Sequence, residues 1–127
     1  MKKIFLLTIV ILSSFNAKSY SFYSNCNTGQ TLYYKITSNN TVAVTYPWSG
    51  LSGSYYYSYS KPLGNLAIPD SVLDNGIWYK VTSVDNHAFS DCSGLTSVTI
   101  PNSVTNIGEY NQEIKGKMNV EIIPVSA

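Results

Sequence analysis

One stretch decides the fold: Val81-Thr-Ser-Val-Asp-Asn-His-Ala-Phe-Ser-Asp-Cys-Ser-Gly-Leu-Thr-Ser-Val-Thr-Ile-Pro-Asn-Ser-Val-Thr-Asn-Ile-Gly108. Within it, Leu95, Val98 and Ile100 have the spacing of a β-strand whose apolar side chains point into the protein interior. The other side chains of that strand are polar and fall on or near its outer face; they are Thr96, Ser97 and Thr99. The pattern therefore predicts a strand with one inward and one outward face.

The same stretch takes part in an internal repeat. Ile68-Pro-Asp-Ser-Val72 recurs as Ile100-Pro-Asn-Ser-Val104 at an offset of 32, and Val81-Thr-Ser-Val84 recurs as Val104-Thr-Asn-Ile107 at an offset of 23. The nine-residue difference matches an insertion that carries Asn75-Gly76, the preferred pair for a two-residue hairpin turn. A period of 23 lies in the range of roughly 20 to 29 that leucine-rich repeats use.

The repeat resembles a known family. Ala88-Phe89, Cys92-x-x-Leu95 and Ile100-Pro101 are similar to elements that recur with the same 23-residue period in the BspA-like leucine-rich repeats of bacterial surface proteins. The clear match runs from Val81 to Gly108, and the Tyr-rich segment before it is more loosely similar to the segment that precedes the array. The resemblance implies a mainly β solenoid and a role in adhesion and host-protein binding.

The family pattern breaks off after Tyr110. It would continue with Ala-Phe, whereas the sequence continues with Asn111-Gln112 and has no further Cys-x-x-Leu or Ile-Pro element. We therefore expect about one to one and a half coils, and such a coil needs neighbours because it cannot bury its apolar face alone. The side chains expected to fill its interior are Phe89, Cys92, Leu95, Val98, Ile100, Val104 and Ile107.

The atypical tail at 111–127 has two interpretations. Val120-Glu-Ile-Ile-Pro-Val125 alternates enough to form a strand, which would lie along the open end of Leu95–Ile100 as a makeshift cap. Alternatively, the tail is a disordered remnant of a truncated or frame-shifted longer gene. The strand edge at the end of the repeat would then stay open and favour self-association.

The segment at 20–80 is expected to cap the coil with β-hairpins. Thr31–Thr37 and Thr41–Tyr46 are rich in β-branched and aromatic residues and flank a turn at 38–40. A second hairpin is predicted at Val72–Val84, around the Asn-Gly turn. Alternation places the apolar side chains of the first hairpin on a single side that needs a cover; they are Leu32, Tyr34, Ile36, Val42 and Val44.

A Tyr- and Ser-rich stretch lies between the two hairpins, from Pro47 to Gly64. Its composition favours an exposed loop or an irregular edge strand. Tyr is common in contact-making loops because it offers a large amphipathic surface at low entropic cost. The stretch is therefore either a contact surface or a set of rings that covers the first hairpin. The aromatic residues concerned are Trp48, Tyr55, Tyr56, Tyr57 and Tyr59.

Residues 1–19 have the pattern of a secretory signal peptide. Lys2 and Lys3 precede the apolar run Ile4–Leu12, and Ala17-Lys18-Ser19 forms a cleavage site of the small-x-small type. The apolar run is shorter than the roughly 20 residues that span a bilayer. We therefore expect cleavage after Ser19 and a secreted or cell-surface protein without a stable membrane span.

Composition limits the class of partner. The 127 residues include eight Lys, no Arg and seven acidic residues, and removal of the leader leaves five Lys and a net charge of −2. Nucleic acid and anionic membranes attract strongly basic surfaces, which this chain lacks. We expect a protein or glycan ligand at a cell surface or in a matrix.

The cysteines Cys26 and Cys92 leave alternatives open. A secreted chain permits one disulfide between them, which would close the long loop from 26 to 92. In the other interpretation, Cys92 is a buried core residue of the coil and Cys26 lies in the turn-rich segment 25–29. A zinc site is disfavoured, because two Cys and His87 supply no paired ligand spacing.

The sequence contains no recognisable catalytic pattern. His87 is expected to be an exposed loop residue, and the carboxylates are scattered singly along the chain. Nucleophile-elbow, zinc-protease and phosphate-binding glycine motifs are absent from the sequence. We therefore expect neither enzyme activity nor a cofactor.

Four segments are predicted: a signal peptide at 1–19, a hairpin and Tyr-Ser-rich capping region at 20–80, the BspA-like repeat at 81–110 and the tail at 111–127. The expected function is non-enzymatic binding of a host or matrix protein through the outward strand face and the Tyr-rich loop. One alternative is glycan binding by Trp48 and Tyr55–Tyr59. Another is a truncated structural fragment that caps or stacks on a longer repeat array.

Overall fold

The structure, a computed structural model, describes residues 18–49, 54–111, 114 and 116–120. The regular elements of these ranges are nearly all β-strands, which confirms the predicted mainly β fold. The signal peptide predicted at 1–19 lies outside the described residues except for Lys18 and Ser19. Lys18 forms an isolated antiparallel bridge with Trp48, and the Ser19 N–H donates to the Pro47 carbonyl at 3.3 Å.

The described ranges contain nine strands in two sheets. In chain order they are β1 (Phe22–Asn25), β2 (Thr31–Ile36), β3 (Thr41–Thr45), β4 (Gly64–Ala67), β5 (Ser71–Asp74), β6 (Ile77–Val84), β7 (Leu95–Ile100), β8 (Asn106–Ile107) and β9 (Met118–Val120). The larger sheet has the order β1-β2-β3-β6-β5, with β8 also paired to β6. The smaller sheet has the order β4-β7-β9.

Two parallel ladders form the solenoid. In the larger sheet β6 pairs in parallel with both β3 and β8, and in the smaller sheet β7 pairs in parallel with both β4 and β9. Because the chain passes from one ladder to the other, β3 with β4, β6 with β7, and β8 with β9 make three successive coils. The repeat thus extends by one coil on each side of the stretch that shows the family pattern.

The strand register reproduces the sequence offsets. Val84 pairs with Ile107 at the offset of 23, and Leu66 pairs with Val98 at the offset of 32. The insertion is the antiparallel hairpin β5–β6, and its Asn75-Gly76 turn has φ values of 52° and 77°. Two successive positive φ values are what a type I′ turn requires, so the predicted turn chemistry is confirmed.

The first hairpin forms from β2 and β3, with Tyr34 opposite Val44, and β1 pairs with the other edge of β2. It is buried on both faces, since Tyr33 on the second face is covered by other Tyr rings. Ile36, which we placed on the apolar side, is exposed. The prediction of a single apolar side was therefore wrong.

One hydrophobic cluster joins the two sheets. Of the side chains expected inside the coil, five are fully buried and Val104 packs against the cluster; the five are Phe89, Cys92, Leu95, Val98 and Ile100. Ile107 is instead 37% exposed, contrary to expectation. It belongs to the last coil described, where no further described coil lies over it. Ile114 is fully buried and fills the interior of that coil.

The central strand of the smaller sheet, β7, is paired on both sides, and side-chain bonds cover part of the β4 edge. On one side β9 pairs with β7 in the place that the capping interpretation predicted, with Met118 opposite Val98. It begins two residues before the expected strand at 120–125, of which residues 121–125 lie outside the described residues. On the other side, the Gln30 side chain donates from Nε2 to the carbonyls of Leu63 at 2.6 Å and Asn65 at 2.7 Å. These bonds satisfy carbonyl groups of the exposed β4 edge.

No disulfide joins Cys26 to Cys92, and both thiols are buried. Burial raises the pKa of the Cys26 thiol to about 11, so this group stays protonated at neutral pH and is a poor nucleophile. Cys92 lies in the core of the second coil. The structure therefore agrees with the interpretation in which Cys92 is a core residue.

Candidate binding surface

A row of aromatic rings crosses all three coils. The rings of Tyr55 and His87 stack with centroids 4.1 Å apart and planes 13° apart. The rings of His87 and Tyr110 stack at 4.4 Å and 2°. Tyr46, which follows β3, packs against Tyr55 in a T-shaped arrangement at 4.8 Å. We call these four residues the aromatic row.

The repeat itself places these rings in register. Tyr55 and His87 are separated by the offset of 32, and His87 and Tyr110 by the offset of 23, so both separations match the sequence repeat. His87 and Tyr110 also share a left-handed backbone conformation, with φ values of 63° and 61°. The backbone N–H of His87 donates to the Glu109 carbonyl at 3.0 Å, and this hydrogen bond links the second and third coils. The stacking therefore follows from the geometry of the solenoid.

A second pair of rings lies beside the row. Trp48 and Tyr57 stack with centroids 5.3 Å apart and planes 20° apart. The Trp48 N–H donates to the Tyr55 carbonyl at 3.0 Å, so the backbone fixes this pair next to the row. Tyr57 is 61% exposed and Trp48 is half-buried. We call the aromatic row and this pair together the aromatic surface.

The Tyr-rich stretch divides between surface and core. Tyr55 and Tyr57 belong to the aromatic surface, whereas Tyr56 is buried and donates from its hydroxyl to the Ala88 carbonyl at 2.7 Å. Burial raises the pKa of Tyr56 well above its usual value, so the phenol stays neutral. The expectation that Tyr56 belongs to a contact surface was wrong, because its ring fills the interior of the first coil.

Tyr59 takes part in a separate cluster on the first hairpin. Its ring packs edge to face on Tyr33 at 5.7 Å and on Tyr20 at 6.2 Å. Burial and the neighbouring phenol of Tyr59 raise the pKa of Tyr20. The stretch therefore does both things that the sequence allowed: some rings cover the hairpin and others form a surface.

His87 is not the simple exposed loop residue that we expected, because Tyr55 and Tyr110 sandwich its ring. Its Nδ1 lies 3.0 Å from the Ser90 hydroxyl, which donates to the Tyr110 carbonyl at 2.8 Å. A carbonyl can only accept, so the hydroxyl proton points to Tyr110 and Nδ1–H donates to Ser90. A general base would have to accept that proton, so this geometry orients the His87 ring and does not activate Ser90.

The charged groups near the row are few. Lys35 Nζ lies 3.1 Å from Asp85 Oδ2, and both residues line a small polar pocket with Tyr46. Among the described residues, no group of three His, Cys, Asp or Glu side chains gathers where it would hold a metal ion. None of the described segments forms a helix with the length and apolarity needed to cross a bilayer.

The outward face of β7 is polar, as the sequence indicated. Thr96 Oγ1 and Ser97 Oγ both donate to Asn65 Oδ1, at 2.8 Å and 2.9 Å, while Thr99 is half-buried. Two of the three predicted contact residues therefore already have a hydrogen-bond partner on β4. This strand face belongs to the smaller sheet, whereas the aromatic surface is built on loops that follow strands of the larger sheet.

Sequence reasoning missed that His87 and Tyr110 belong to the aromatic surface. The signal was present, because the two repeat offsets connect Tyr55 to His87 and His87 to Tyr110. Tyr46 had no comparable signal, since its contact with Tyr55 depends on the path of the loop between them.

Three coils on two parallel ladders define a leucine-rich β-solenoid. Residues 52–113 match the family model described as BspA type leucine rich repeat region (6 copies). Residues 52–113 therefore form a BspA-type leucine-rich repeat region, which confirms the resemblance seen in the sequence. The matched range is wider than the predicted repeat at 81–110 and includes residues 54–64 of the Tyr-rich stretch.

Two solved structures are similar to this fold. A leucine-rich repeat protein from Bacteroides capillosus ATCC 29799 is 26% identical, with a TM-score of 0.51 over 79% of this chain and 66% of that chain. A leucine rich cell surface protein from Faecalibacterium prausnitzii A2-165 is 18% identical, with a TM-score of 0.53 over 81% of this chain and 24% of that chain. This chain thus spans about two thirds of the first protein and about a quarter of the second. No curated protein sequence matches the chain.

Proposed function

We propose that this chain is a secreted or cell-surface interaction module without enzyme activity, and that it binds a protein of a host or matrix surface. The aromatic row is the observation that carries the proposal, because it brings rings from three coils to one surface and leaves Tyr110 57% exposed. Tyr and Trp are enriched at the centres of protein interfaces, where they contribute much of the binding energy.

The rings are held in place before any partner arrives. Tyr55 and His87 each contact two neighbouring rings, and Trp48 is stacked on Tyr57. Binding that immobilises few new side chains loses little conformational entropy, so more of the contact energy remains as affinity. A pre-ordered aromatic surface therefore supports a binding function better than a mobile Tyr-rich loop would.

Two further observations support a surface location and a non-enzymatic role. One structurally similar protein is described as a cell surface protein, and residues 1–19 have the pattern of an export signal. The only Ser–His hydrogen bond in the described ranges directs its hydroxyl proton away from the imidazole. These points favour a displayed binding module.

A protein ligand suits the aromatic surface better than a glycan does. A sugar ring stacks on an open aromatic face, but the faces of Tyr55 and His87 are turned towards each other and those of Trp48 and Tyr57 likewise. Stacking covers both faces of His87 and one face of each of the other stacked rings, so ring edges form much of the contact area. Edge contacts are common between aromatic side chains of two proteins. The strand face with Thr96, Ser97 and Thr99 is proposed as a secondary contact, since two of its hydroxyls are already engaged.

The test is binding of the full chain to a panel of immobilised extracellular-matrix proteins and to cultured epithelial cells. The double variant Tyr57→Ala/Tyr110→Ala should weaken specific binding by at least about tenfold, the effect of losing one interface hot spot. Tyr23→Ala is the matched control, because Tyr23 is 62% exposed and lies on β1. Absence of specific binding, or an equal loss in the control, would overturn the proposal.

A further inference from the structure

Trp78 is the most exposed of the large apolar side chains described, at 64%. It lies on β6 directly opposite Leu73 of β5, which is also exposed. No described aromatic ring stacks on Trp78, whereas the other tryptophan, Trp48, is stacked on Tyr57. The indole of Trp78 therefore presents an open face on the protein surface.

This open ring lines a groove of about 630 Å³ between the β5–β6 hairpin and the turn that follows β1. Ligand sites commonly have volumes of about 300 to 1,000 Å³ and combine apolar surface with a few placed polar groups. Both kinds of surface occur here. The polar side chains of the groove include Asn25, Asn27, Asp70 and Ser71.

The polar groups of the groove retain hydrogen-bonding capacity. Asn25 uses its Oδ1 to accept from Thr31 at 2.8 Å, which leaves its amide N–H groups for a ligand. The Asn27 side chain has no hydrogen bond within the described ranges, and Asp70 Oδ1 accepts only a long bond of 3.3 Å from Ser71. The groove thus offers amide donors and carboxylate acceptors. The lining contains no Lys; the exposed Lys80, which pairs opposite Ser71 on the same hairpin, is not part of it.

The groove is formed by packed and hydrogen-bonded parts of the chain. Val72 and Tyr79 are buried on the inner face of the hairpin, Val72 also lines the groove, and the Tyr79 ring packs 5.8 Å from that of Phe22 on β1. The type I′ turn fixes the register in which Trp78 stands opposite Leu73. A site that is formed before binding loses little entropy when the ligand arrives.

We propose that this groove binds a neutral carbohydrate, with one sugar ring stacked on Trp78 and its hydroxyl groups bonded to Asn25, Asn27 and Asp70. A sugar has an apolar C–H face and a rim of hydroxyls that both donate and accept, which matches an open indole surrounded by amide and carboxylate groups. The absence of Lys from the lining favours an uncharged glycan. This site and its ligand class are independent of the protein-binding aromatic surface.

Affinity electrophoresis of the full chain through gels that contain mannan, galactan or mixed-linkage β-glucan tests the proposal. At least one of these neutral polysaccharides should retard the protein, and Trp78→Ala should weaken that interaction by at least about tenfold. Ile77→Ser is the matched control, because Ile77 is an exposed neighbour on the opposite face of the same hairpin. The control should migrate like the wild type.

A fluorescence measurement locates the ligand on Trp78. The chain has two Trp residues, so Trp48→Phe leaves Trp78 as the only indole, and its emission should shift on addition of the retained polysaccharide. Lack of retardation by every polysaccharide, unchanged retention of Trp78→Ala, or an unchanged emission would overturn the proposal. Loss of retention in Tyr57→Ala/Tyr110→Ala would also overturn it, by placing the sugar on the aromatic surface. Failure of matrix-protein binding alone would leave the groove unaffected.

Discussion

The loops that close the first and second coils occupy corresponding places in the solenoid but differ in chemistry. The loop of the second coil, at 85–94, buries Ala88, Phe89 and Cys92 completely. The described part of the first loop, at 46–49 and 54–63, buries Pro47, Tyr56 and Pro62 and leaves Tyr57 exposed. Its remaining Tyr rings are partly buried against the core; they are Tyr46, Tyr55 and Tyr59. One loop therefore serves the core almost entirely, whereas the other divides its rings between core and surface.

The difference shows how a coil can gain a surface without losing its interior. The long side chain of Tyr56 fills the interior of the first coil, and its hydroxyl donates to the Ala88 carbonyl of the second coil. Its neighbour Tyr57 is exposed and has no packing role in the core, whereas Tyr55 is partly buried against the core; both belong to the aromatic surface. The repeat extends Tyr55 into a row of stacked rings, because His87 and Tyr110 lie at the corresponding positions of the second and third coils.

Phe89→Ala in the second loop should have the largest effect on stability. The ring is fully buried in the shared core, so its removal leaves a cavity between coils. We expect a loss of about 3 to 5 kcal/mol in the free energy of unfolding, measured by urea denaturation. A loss below about 1 kcal/mol would mean that the coil interior collapses around the gap, and the two loops would then not differ as described.

Asn111→Ala should have the next largest effect. The Asn111 side chain accepts from the Phe89 N–H at 2.8 Å and donates to the carbonyls of Gly108 at 2.9 Å and Asp85 at 3.1 Å. Because these buried groups would lose their partners, we expect a loss of about 1 to 3 kcal/mol by the same measurement. The exposed Asn106 offers the control Asn106→Ala, which should change stability by less than about 0.5 kcal/mol.

Tyr56→Phe isolates the hydroxyl that distinguishes the first loop. We expect a loss of about 1 kcal/mol at pH 7, since the buried bond to Ala88 disappears while the ring remains. Burial raises the pKa of Tyr56 in the folded state, whereas the unfolded phenol ionises near pH ~10. Wild-type stability therefore falls as the pH rises above that value, and the Phe variant lacks this contribution. Urea denaturation at pH 7 and pH 11 should show the difference between the two proteins shrinking or reversing.

Tyr57→Ala should have the smallest effect on stability. Its ring is exposed and lies outside the core, so we expect a change within about 0.5 kcal/mol. A larger loss would show that the Trp48–Tyr57 stack supports the fold, and the contrast between core and surface rings of this loop would fail.

The division of side chains between core and surface could be predicted from the sequence in part. The inward triad Leu95, Val98 and Ile100 was predictable, since alternation along a strand is a local property. Ile107 shows the limit of that reasoning: it repeats Val84 at the offset of 23, yet it is exposed because burial depends on whether another coil lies above. Tyr56 could not be separated from Tyr55 and Tyr57, because three adjacent Tyr residues carry no pattern that orders them.

The sequence by itself determined the period, the mainly β character and the hairpin turn at Asn75-Gly76, because spacing and backbone preference act between residues close along the chain. The tertiary structure decided which Tyr rings are buried, that His87 lies between two of them, and that Trp78 borders a groove. These outcomes depend on coils and strands that are distant in sequence and meet only when the ladders stack. Burial and ring contact are properties of that assembly, which is why no single segment carries them.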